Sequence, residues 1–343
     1  MQRYRVAQWA TGNIGTRSLR AVIEHPQLEL VGVYVYSDKK AGVDAGELCG
    51  AGPTGVVATT SIEDILAAKP DCVLYMPRAC DYDDVCRLLE GGANVVTTRG
   101  EFHRPASMDA DVGARVEAAC AAGGTSIHST GSSPGFISEA LPLVLSSLER
   151  RIDCLTIDEF ADVSSRNSPE LLFDLMGFGQ PMGPFDPGRA AYLQGSFGPS
   201  LELLADAIGL PLDALEASGE FAVARHTTQL AAGTLEAGTI GGQRITVTGL
   251  RDGKPLLRFR ATWYCTADVD ADWDMRETGW RVTVEGDTPL AVDIRFPVEP
   301  ERWAEVSPGL TAHRAVNAVA AVCEAIPGIR TTLDLPHVVP VLS

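Results

Sequence analysis

The sequence lacks the spacing of cysteine and histidine that a metal centre requires. Its eight cysteines, at positions 49, 72, 80, 86, 120, 154, 265 and 323, contain no CxxC unit. Its six histidines are scattered and form no ligand-spaced cluster with cysteine or carboxylate, so no metal is expected. Cys72 in Asp71-Cys72-Val73-Leu74 and Cys323 in Val322-Cys323 sit in apolar runs, which predicts buried free thiols in a reducing compartment. There is no apolar stretch long enough to span a bilayer without charge, Gly or Pro. The chain opens Met1-Gln2-Arg3-Tyr4-Arg5-Val6 on a strand pattern in place of a signal peptide, so a cytoplasmic location is expected. Positive charge is also scarce: 28 Lys and Arg stand against 45 Asp and Glu, a formal net charge of -17. Such a field repels phosphate backbones and anionic lipid, so neither nucleic acid nor a membrane is an expected partner. A small nucleotide remains compatible, because local backbone amides and one or two cations can hold a pyrophosphate. Internal repeats and low-complexity tracts are absent.

What is present reads as two domains, since 343 residues exceed one ordinary core. Up to about residue 130, short β-rich runs alternate with helical ones. The strands are Arg5–Trp9, Leu28–Val35, Asp71–Met76, Ala93–Thr98 and Thr125–Ser129. The helices run from Asn13 to about His25, Asp81 to Glu90 and Met108 to Ala122, with a short one opened by a capping box at Thr60 and Glu63. This alternation predicts βαβ units and a parallel sheet.

After a helix expected over Phe136 to about Arg150, the pattern changes. Leu155–Val163 reads as a strand, Ser168-Pro169-Glu170 as a helix start, residues 177–187 as a loop, and Pro199–Ile208 as a helix. Beyond residue 220 apolar and polar residues alternate, as in Leu257, Phe259, Ala261 and Trp263 against Arg258, Arg260, Thr262 and Tyr264. That is an antiparallel sheet with one buried face. Asp252-Gly253 marks a hairpin, and a last helix runs from Thr311 to about Ala325. The expected fold class is α/β: an N-terminal Rossmann-type doubly wound parallel sheet over 1–135, completed by the C-terminal helix at about 311–343. A second α+β domain over 136–310, with a mostly antiparallel sheet, is expected to shape the substrate site and to support a homodimer.

The first strand runs through Ala10-Thr11-Gly12-Asn13-Ile14-Gly15 into a helix, a G-x-G-x-x-G pattern with alanine first. In this strand–turn–helix context the pattern predicts a dinucleotide cradle. Gly12 admits the pyrophosphate, Gly15 allows close helix packing, and Thr11, Gly12, Asn13 and Ile14 present the helix start to the anion. Alanine at position 10 implies that the first turn avoids positive φ. At the end of the second strand no acidic residue holds the position that would grip a ribose 2′-hydroxyl. Tyr36-Ser37-Asp38-Lys39-Lys40 favours NADP, with Ser37 and Lys39 toward a 2′-phosphate. NAD is the alternative if Asp38 turns inward.

Ligands of such sheets bind beyond the carboxyl ends of the strands. There lie Met76-Pro77-Arg78, Arg99-Gly100-Glu101-Phe102-His103 and Gly131-Ser132-Ser133-Pro134-Gly135-Phe136. Met76, Pro77, Arg78, Arg99 and Gly131 are expected at the cofactor. Glu101 and His103 are the titratable candidates there, and position alone leaves Glu101 open between a solvated carboxylate and a general acid-base.

Four segments carry a resemblance: Trp9–Gly15, Val95–Phe102, Ser133-Pro134-Gly135-Phe136 and Thr311-Ala312-His313-Arg314-Ala315-Val316-Asn317. With them the chain resembles the 2,4-diaminopentanoate dehydrogenases and native amine dehydrogenases, which are related in fold to dihydrodipicolinate reductase. The resemblance implies reversible reductive amination of a small ketone or aldehyde with ammonia at the expense of NAD(P)H. It also implies that the glutamate of the Gly-Glu-Phe segment, Glu101, handles the protons. His103 has no such support and is expected at a pocket edge or the surface. True dihydrodipicolinate reductases carry a His-His-x-x-Lys segment. The corresponding Glu159-Phe160-Ala161-Asp162-Val163-Ser164-Ser165-Arg166 has neither histidine nor lysine, which argues against their cyclic dicarboxylate. No carboxylate clamp for diaminopentanoate is assignable, so a simple amine or carbonyl compound is expected. Phe136, Phe160, Met176 and Phe178, with Phe185, are candidates for an apolar substrate pocket, with plain core as the alternative. Asn317 stands between a nicotinamide contact and a structural role. A reductase of a simple carbonyl or cyclic imine, and a non-catalytic NADP-binding sensor, are the rival readings.

Overall fold

The computed structural model describes residues 3–342. In chain order its first elements are β1 (Tyr4–Trp9), α1 (Asn13–Glu24), β2 (Leu28–Tyr34), α2 (Ala45–Cys49), β3 (Ala58–Thr59), α3 (Ile62–Ala67), β4 (Cys72–Tyr75), α4 (Tyr82–Glu90), β5 (Asn94–Thr97), α5 (Ala110–Gly123) and β6 (Ser126–Ser129). There follow α6 (Leu141–Ser146), β7 (Ile152–Asp162), α7 (Pro187–Ala207), β8 (Ala214–Val223), β9 (Thr228–Leu230), β10 (Gly233–Leu235), β11 (Ile240–Arg251), β12 (Lys254–Tyr264), β13 (Gly279–Gly286) and β14 (Leu290–Arg295). The chain ends with α8 (Pro300–Cys323) and β15 (Gly328–Arg330). It divides into two compact units. One comprises the chain up to Phe136 and from Ser307 onward; the other is Ile137–Val306.

In the first unit seven parallel strands lie in the order β15-β6-β5-β4-β1-β2-β3. Strand order reverses between β1 and β4, which opens a crevice at their carboxyl ends. The strands are short and apolar on both faces, as a sheet covered on two sides requires: Cys72, Val73, Leu74 and Tyr75 of β4 are all fully buried. On one face Val73, Val85, Leu88, Val95, Val116 and Ile127 pack together. On the other Val6, Val22, Leu74, Val96, Ala315 and Val319 do so, which holds α1 and α8 against the sheet. Each of these Val, Leu and Ile side chains contributes about 1.5–3 kcal/mol through burial. Helix starts follow local chemistry, with Asp81 accepting from Asp83 and Asp84 amides and Asp109 from those of Asp111 and Val112.

The second unit is built on a six-stranded sheet, β14-β13-β7-β12-β11-β8, antiparallel except where β7 pairs with β12. Leu257, Phe259 and Ala261 are buried on one face, and α7 packs there through Phe197, stacked on Phe259 with centroids 3.8 Å apart. The β11–β12 hairpin turns at Asp252 and Gly253, both at positive φ (51° and 69°), as a two-residue turn of this hand demands.

Several local expectations differ from the structure. The cap of α3 is Ser61, accepting from the Asp64 amide, one residue after Thr60. The helix expected from Phe136 is present: Gly135 at φ +116° lies just before it, wide helical turns run from Phe136 to Ala140 into α6, and regular helix ends at Ser146, four residues before Arg150. Helix α7 starts at Pro187, twelve residues before Pro199. Asp186 caps it, Pro187 suits its first turn, and Pro199 is carried inside. Helix α8 likewise starts before Thr311 and carries Pro308. All eight cysteines are free, and six are buried. No helix of the described residues is long and apolar enough to cross a membrane.

Candidate active site

The crevice begins at the end of β1. Ala10 adopts φ +70°, which corrects the expectation that alanine here keeps the turn out of the left-handed region. The residue is held there on both sides. Its amide donates to the Tyr34 carbonyl at 2.9 Å, and its carbonyl accepts from Gln8 Nε2 at 3.0 Å. Gln8 is fully buried and its Nε2 also reaches the Trp9 and Leu74 carbonyls, so one side chain ties the loop to β1 and β4. Sequence reading passed over Gln8; a lone amide inside Val6-Ala7-Gln8-Trp9 was the available signal.

The same carbonyl explains Gly15. A Cβ there would lie 2.1 Å from Ala10 O, so only glycine lets α1 approach the loop. At Gly12 the reverse holds: an added Cβ meets nothing within 4 Å, so the space in front of the helix start is open. No side chain caps α1, which leaves its first-turn amides at Asn13, Ile14 and Gly15 for an anion. Lys40 points to the same place: its Nζ donates to the Thr11 carbonyl at 2.9 Å and to Thr11 Oγ1 at 3.1 Å. A turn makes this reach possible, with the Lys40 and Ala41 amides both donating to the Ser37 carbonyl. Ser37, Asp38 and Lys39 are exposed. The cation brought to the loop is therefore Lys40, which linear spacing did not single out. An open cradle, free amides and an adjacent ammonium fit a dinucleotide pyrophosphate.

An aromatic cluster stands beside the cradle, with its outer ring exposed. Trp9 stacks on Tyr34 with centroids 3.7 Å apart, and Trp9 Nε1 donates to Tyr36 Oη at 3.0 Å. Tyr36 is 57% exposed, a flat surface at the end of β2. Met76 and Pro77 after β4 are buried, Met76 in the core with Val6 and Leu74, while Arg78 is exposed.

Beyond β5, a single tight turn at Gly100–Phe102 presents Glu101. The anchor is Phe102, fully buried and edge-on to Tyr82 at 6.1 Å. Arg99 Nη2 donates to Glu101 Oε1 at 2.7 Å, and Arg99 Nη1 to the Arg78 carbonyl at 2.8 Å. Glu101 Oε2 is buried and has no hydrogen-bond partner among the described residues. Two more orphaned oxygens follow the adjacent strand β6, Thr130 Oγ1 and Ser133 Oγ. Buried polar atoms without partners are rare and mark places where a ligand or water completes the structure. Cys80 lies near enough to be affected: burial, and after it the Glu101 carboxylate, pushes its thiol up to about 12. His103 is buried at 2% exposure, which corrects its expected place at a pocket edge or the surface.

Gly131 is packed closely, since a Cβ would meet the Pro134 carbonyl at 3.0 Å and Thr311 Cγ2 at 3.2 Å. Ser132 Oγ and Thr311 Oγ1 hydrogen-bond at 2.7 Å, fastening this loop to α8. Phe136 carries the Arg314 guanidinium over its ring at 5.7 Å. Asn317 lines a separate cavity of about 460 Å3 with Arg17, Arg20, His25 and His313.

In the second unit the proposed pocket residues do not gather. Phe178 is fully buried in a core cluster with Val163, Leu172 and Leu230, and Met176 packs against it, so both serve that core. Phe160, at the end of β7, lines a different pocket of about 260 Å3 with Met275, Trp280 and Ile294. Phe185 stands apart again, 4.7 Å from Phe221. No group of three His, Cys, Asp or Glu among the described residues is placed to hold a metal.

Comparison with known proteins places this geometry among dehydrogenases. Residues 136–342 match the family model of the 2,4-diaminopentanoate dehydrogenase C-terminal domain, and residues 9–86 that of the dihydrodipicolinate reductase N-terminus. An amine dehydrogenase of Streptomyces virginiae is 32% identical over 96% of this chain and 95% of its own length. The 2,4-diaminopentanoate dehydrogenase of Acetoanaerobium sticklandii is 24% identical over 98% of this chain and 94% of its own. In fold, the solved amine dehydrogenase of Mycobacterium smegmatis superposes with a TM-score of 0.74 at 19% identity, covering 98% of this chain and 96% of that one.

Proposed function

This chain belongs to the family of the 2,4-diaminopentanoate and amine dehydrogenases and is an NAD(P)-dependent oxidoreductase, and from that premise we propose that it catalyses reversible reductive amination. The reactants are a small ketone or aldehyde and ammonia. NADP is the preferred cofactor, NAD the alternative, and the working form is a homodimer. The observation that carries the reading is the Glu101 carboxylate. It is anchored through Phe102, oriented through Arg99, and left with one buried oxygen unpartnered.

When bound, the nicotinamide supplies the hydride that reduces an iminium carbon and takes it back in the reverse direction. The chain's own part is to bind, orient and move protons. The α1 amides from Asn13 and Lys40 Nζ hold the pyrophosphate, and Ser37 and Lys39 receive the 2′-phosphate. The ring of Tyr36 offers a face for adenine. Glu101 Oε2 takes a proton from the ammonia that has added to the carbonyl carbon and passes it to the former carbonyl oxygen, which, with one further proton from solvent, leaves as water and yields the iminium. Oε1 remains tied to Arg99 throughout. A carboxylate held from one side keeps its second oxygen aimed, which is the geometric condition for efficient proton transfer.

The test is NADPH and NADH oxidation against a panel of small ketones and aldehydes at alkaline pH, with and without ammonium. Turnover that requires ammonium supports the reading and ranks the cofactors. Turnover independent of ammonium replaces it with reduction of a carbonyl or cyclic imine.

A further inference from the structure

The outer side of α1 and α8 carries a cavity that the proposed mechanism leaves unassigned. Both helices lie on the same face of the parallel sheet, with Val22 of α1 packed among Ala315, Val316 and Val319 of α8. The chain beyond β15 returns to this face, where Leu335 and Val338 pack against the same core, and Pro340, Val341 and Leu342 form the third wall of the groove. The space between the walls is about 460 Å3, the size of a small-molecule site. Every residue that lines it belongs to the first unit.

The polar groups of the groove are nearly all donors. In a chain with a formal net charge of -17, the lining gathers Arg17, Arg20, His25, His313 and Asn317. Glu24 is its single carboxylate among the described residues. Arg17 is half-buried, and its Nη1 donates to the Asn13 carbonyl at 3.0 Å, which holds the guanidinium against the helix. Arg20 donates to Glu24 through Nε at 2.9 Å, its one side-chain hydrogen bond among the described residues. That pair is an exposed i,i+4 contact, which solvent screens. His25 accepts the Gln27 amide on Nδ1 at 3.1 Å, so its ring proton sits on Nε2. Burial lowers the pKa of this ring, which is therefore a neutral donor at pH 7. The half-buried Asn317 amide has no hydrogen-bond partner among the described residues. The rest of the lining is apolar, with Ala21, Val316, Pro340 and Val341 among it. Guanidinium forks match an oxyanion, and aliphatic walls favour a hydrocarbon over water.

We propose that the α1–α8 groove binds an amphipathic organic anion, a phosphate monoester or carboxylate carried on a short hydrocarbon body. Arg17 and Arg20 take the oxyanion, with His25 Nε2 and the Asn317 amide as further donors, while Ala21, Val316 and Val341 cover the body. Arg20 exchanges Glu24 for the ligand. The inference does not rest on the amination reading: the anion is no reactant, and no group of the groove transfers a proton.

The experiment is isothermal titration calorimetry on the full chain saturated with NADP+, so that the α1 cradle is filled, and again without cofactor. The probes are hexyl phosphate, hexanoate, inorganic phosphate and hexan-1-ol. At least one hexyl anion should bind saturably, about tenfold or more tighter than inorganic phosphate or hexan-1-ol, and the ratio between the two anions identifies the headgroup. R17M/R20M should weaken that binding by about tenfold or more. V341D, which sets a carboxylate in the wall outside any helix, should weaken it as well. E24Q should tighten it by about two- to fivefold, because Arg20 is released, a gain that a merely structural Glu24 would not produce. The ring signals of His25 and His313 in 1H–13C NMR spectra should move with the hexyl anion and stay in place with hexan-1-ol. Absence of saturable binding by either hexyl anion, equal affinity in R17M/R20M, or equal affinity for inorganic phosphate would overturn the proposal. Binding that NADP+ abolishes would place the probe in the cradle and overturn it too.

Discussion

Arg99 and Glu101 are joined by a 2.7 Å hydrogen-bonded ion pair, and the same guanidinium reaches the Arg78 carbonyl at 2.8 Å. One side chain thus ties the proposed catalytic carboxylate to the loop after the neighbouring strand. Small misplacements of a reacting group cost up to about 100-fold in rate. R99M should therefore lower kcat by about 10- to 100-fold, with KM and NADPH affinity little altered. R99K should fall between, because it keeps the charge and loses the second anchor. A purely structural Arg99 would instead lower the melting temperature and leave kcat per folded molecule intact.

The Ala10 carbonyl lies 2.1 Å from where a Cβ at position 15 would be. G15A must displace either the loop or α1, so NADPH affinity should fall at least about tenfold, as fluorescence titration would show. A10G should act in the opposite sense on stability. Left-handed alanine costs about 1–2 kcal/mol, and the greater freedom of unfolded glycine offsets about 0.5–1 kcal/mol of the relief. A higher urea midpoint for A10G is expected; a lower one would contradict the strain assigned to φ +70°.

The two adjacent lysines should separate in cofactor titrations. Lys40 braces Thr11 at the pyrophosphate loop, so K40M should weaken NADPH and NADH alike. Lys39 is exposed beyond the end of β2, so K39A should weaken NADPH and leave NADH unchanged. Equal effects of K39A on both cofactors would remove Lys39 from the 2′-phosphate.

Asp44 provides a pH test. Its carboxylate accepts from the backbone amides of Thr54, Gly46 and Gly55, and these bonds, the Thr54 amide first, hold its pKa below the ordinary aspartate value. A carboxyl group whose pKa is depressed on folding stabilises the native state above its unfolded value, about 3.9. That contribution is lost as the pH falls through the folded value. D44N should therefore melt below wild type at pH 7, with the gap closing under acid conditions below about pH 4. A gap independent of pH would show that the charge on Asp44 is not what matters.

Features set by neighbouring residues were legible in the sequence. The strand–helix alternation, the glycine loop, the Asp252-Gly253 turn and the Gly-Glu-Phe turn all depend on contacts a few residues apart. Features set by distant partners were not. Ala10 stands at positive φ because Gln8 and Tyr34 hold it there, and Lys40 rather than Lys39 reaches Thr11 because a turn at Ser37 folds it back. Pro199 read as a helix start, yet packing carries α7 through it, and α8 begins before Thr311 and runs through Pro308. Phe178 and Phe160 looked equivalent as aromatic residues near turns; one is core and the other lines a pocket at the end of β7.

The most direct test of the account compares wild type and E101Q for ammonium-dependent NADPH oxidation, with NADPH binding measured in parallel. Glutamine preserves the shape and the Arg99 contact but cannot take up a proton. The account predicts loss of turnover by at least about 100-fold at unchanged NADPH affinity. Ammonium-dependent turnover at the wild-type rate in E101Q would contradict it.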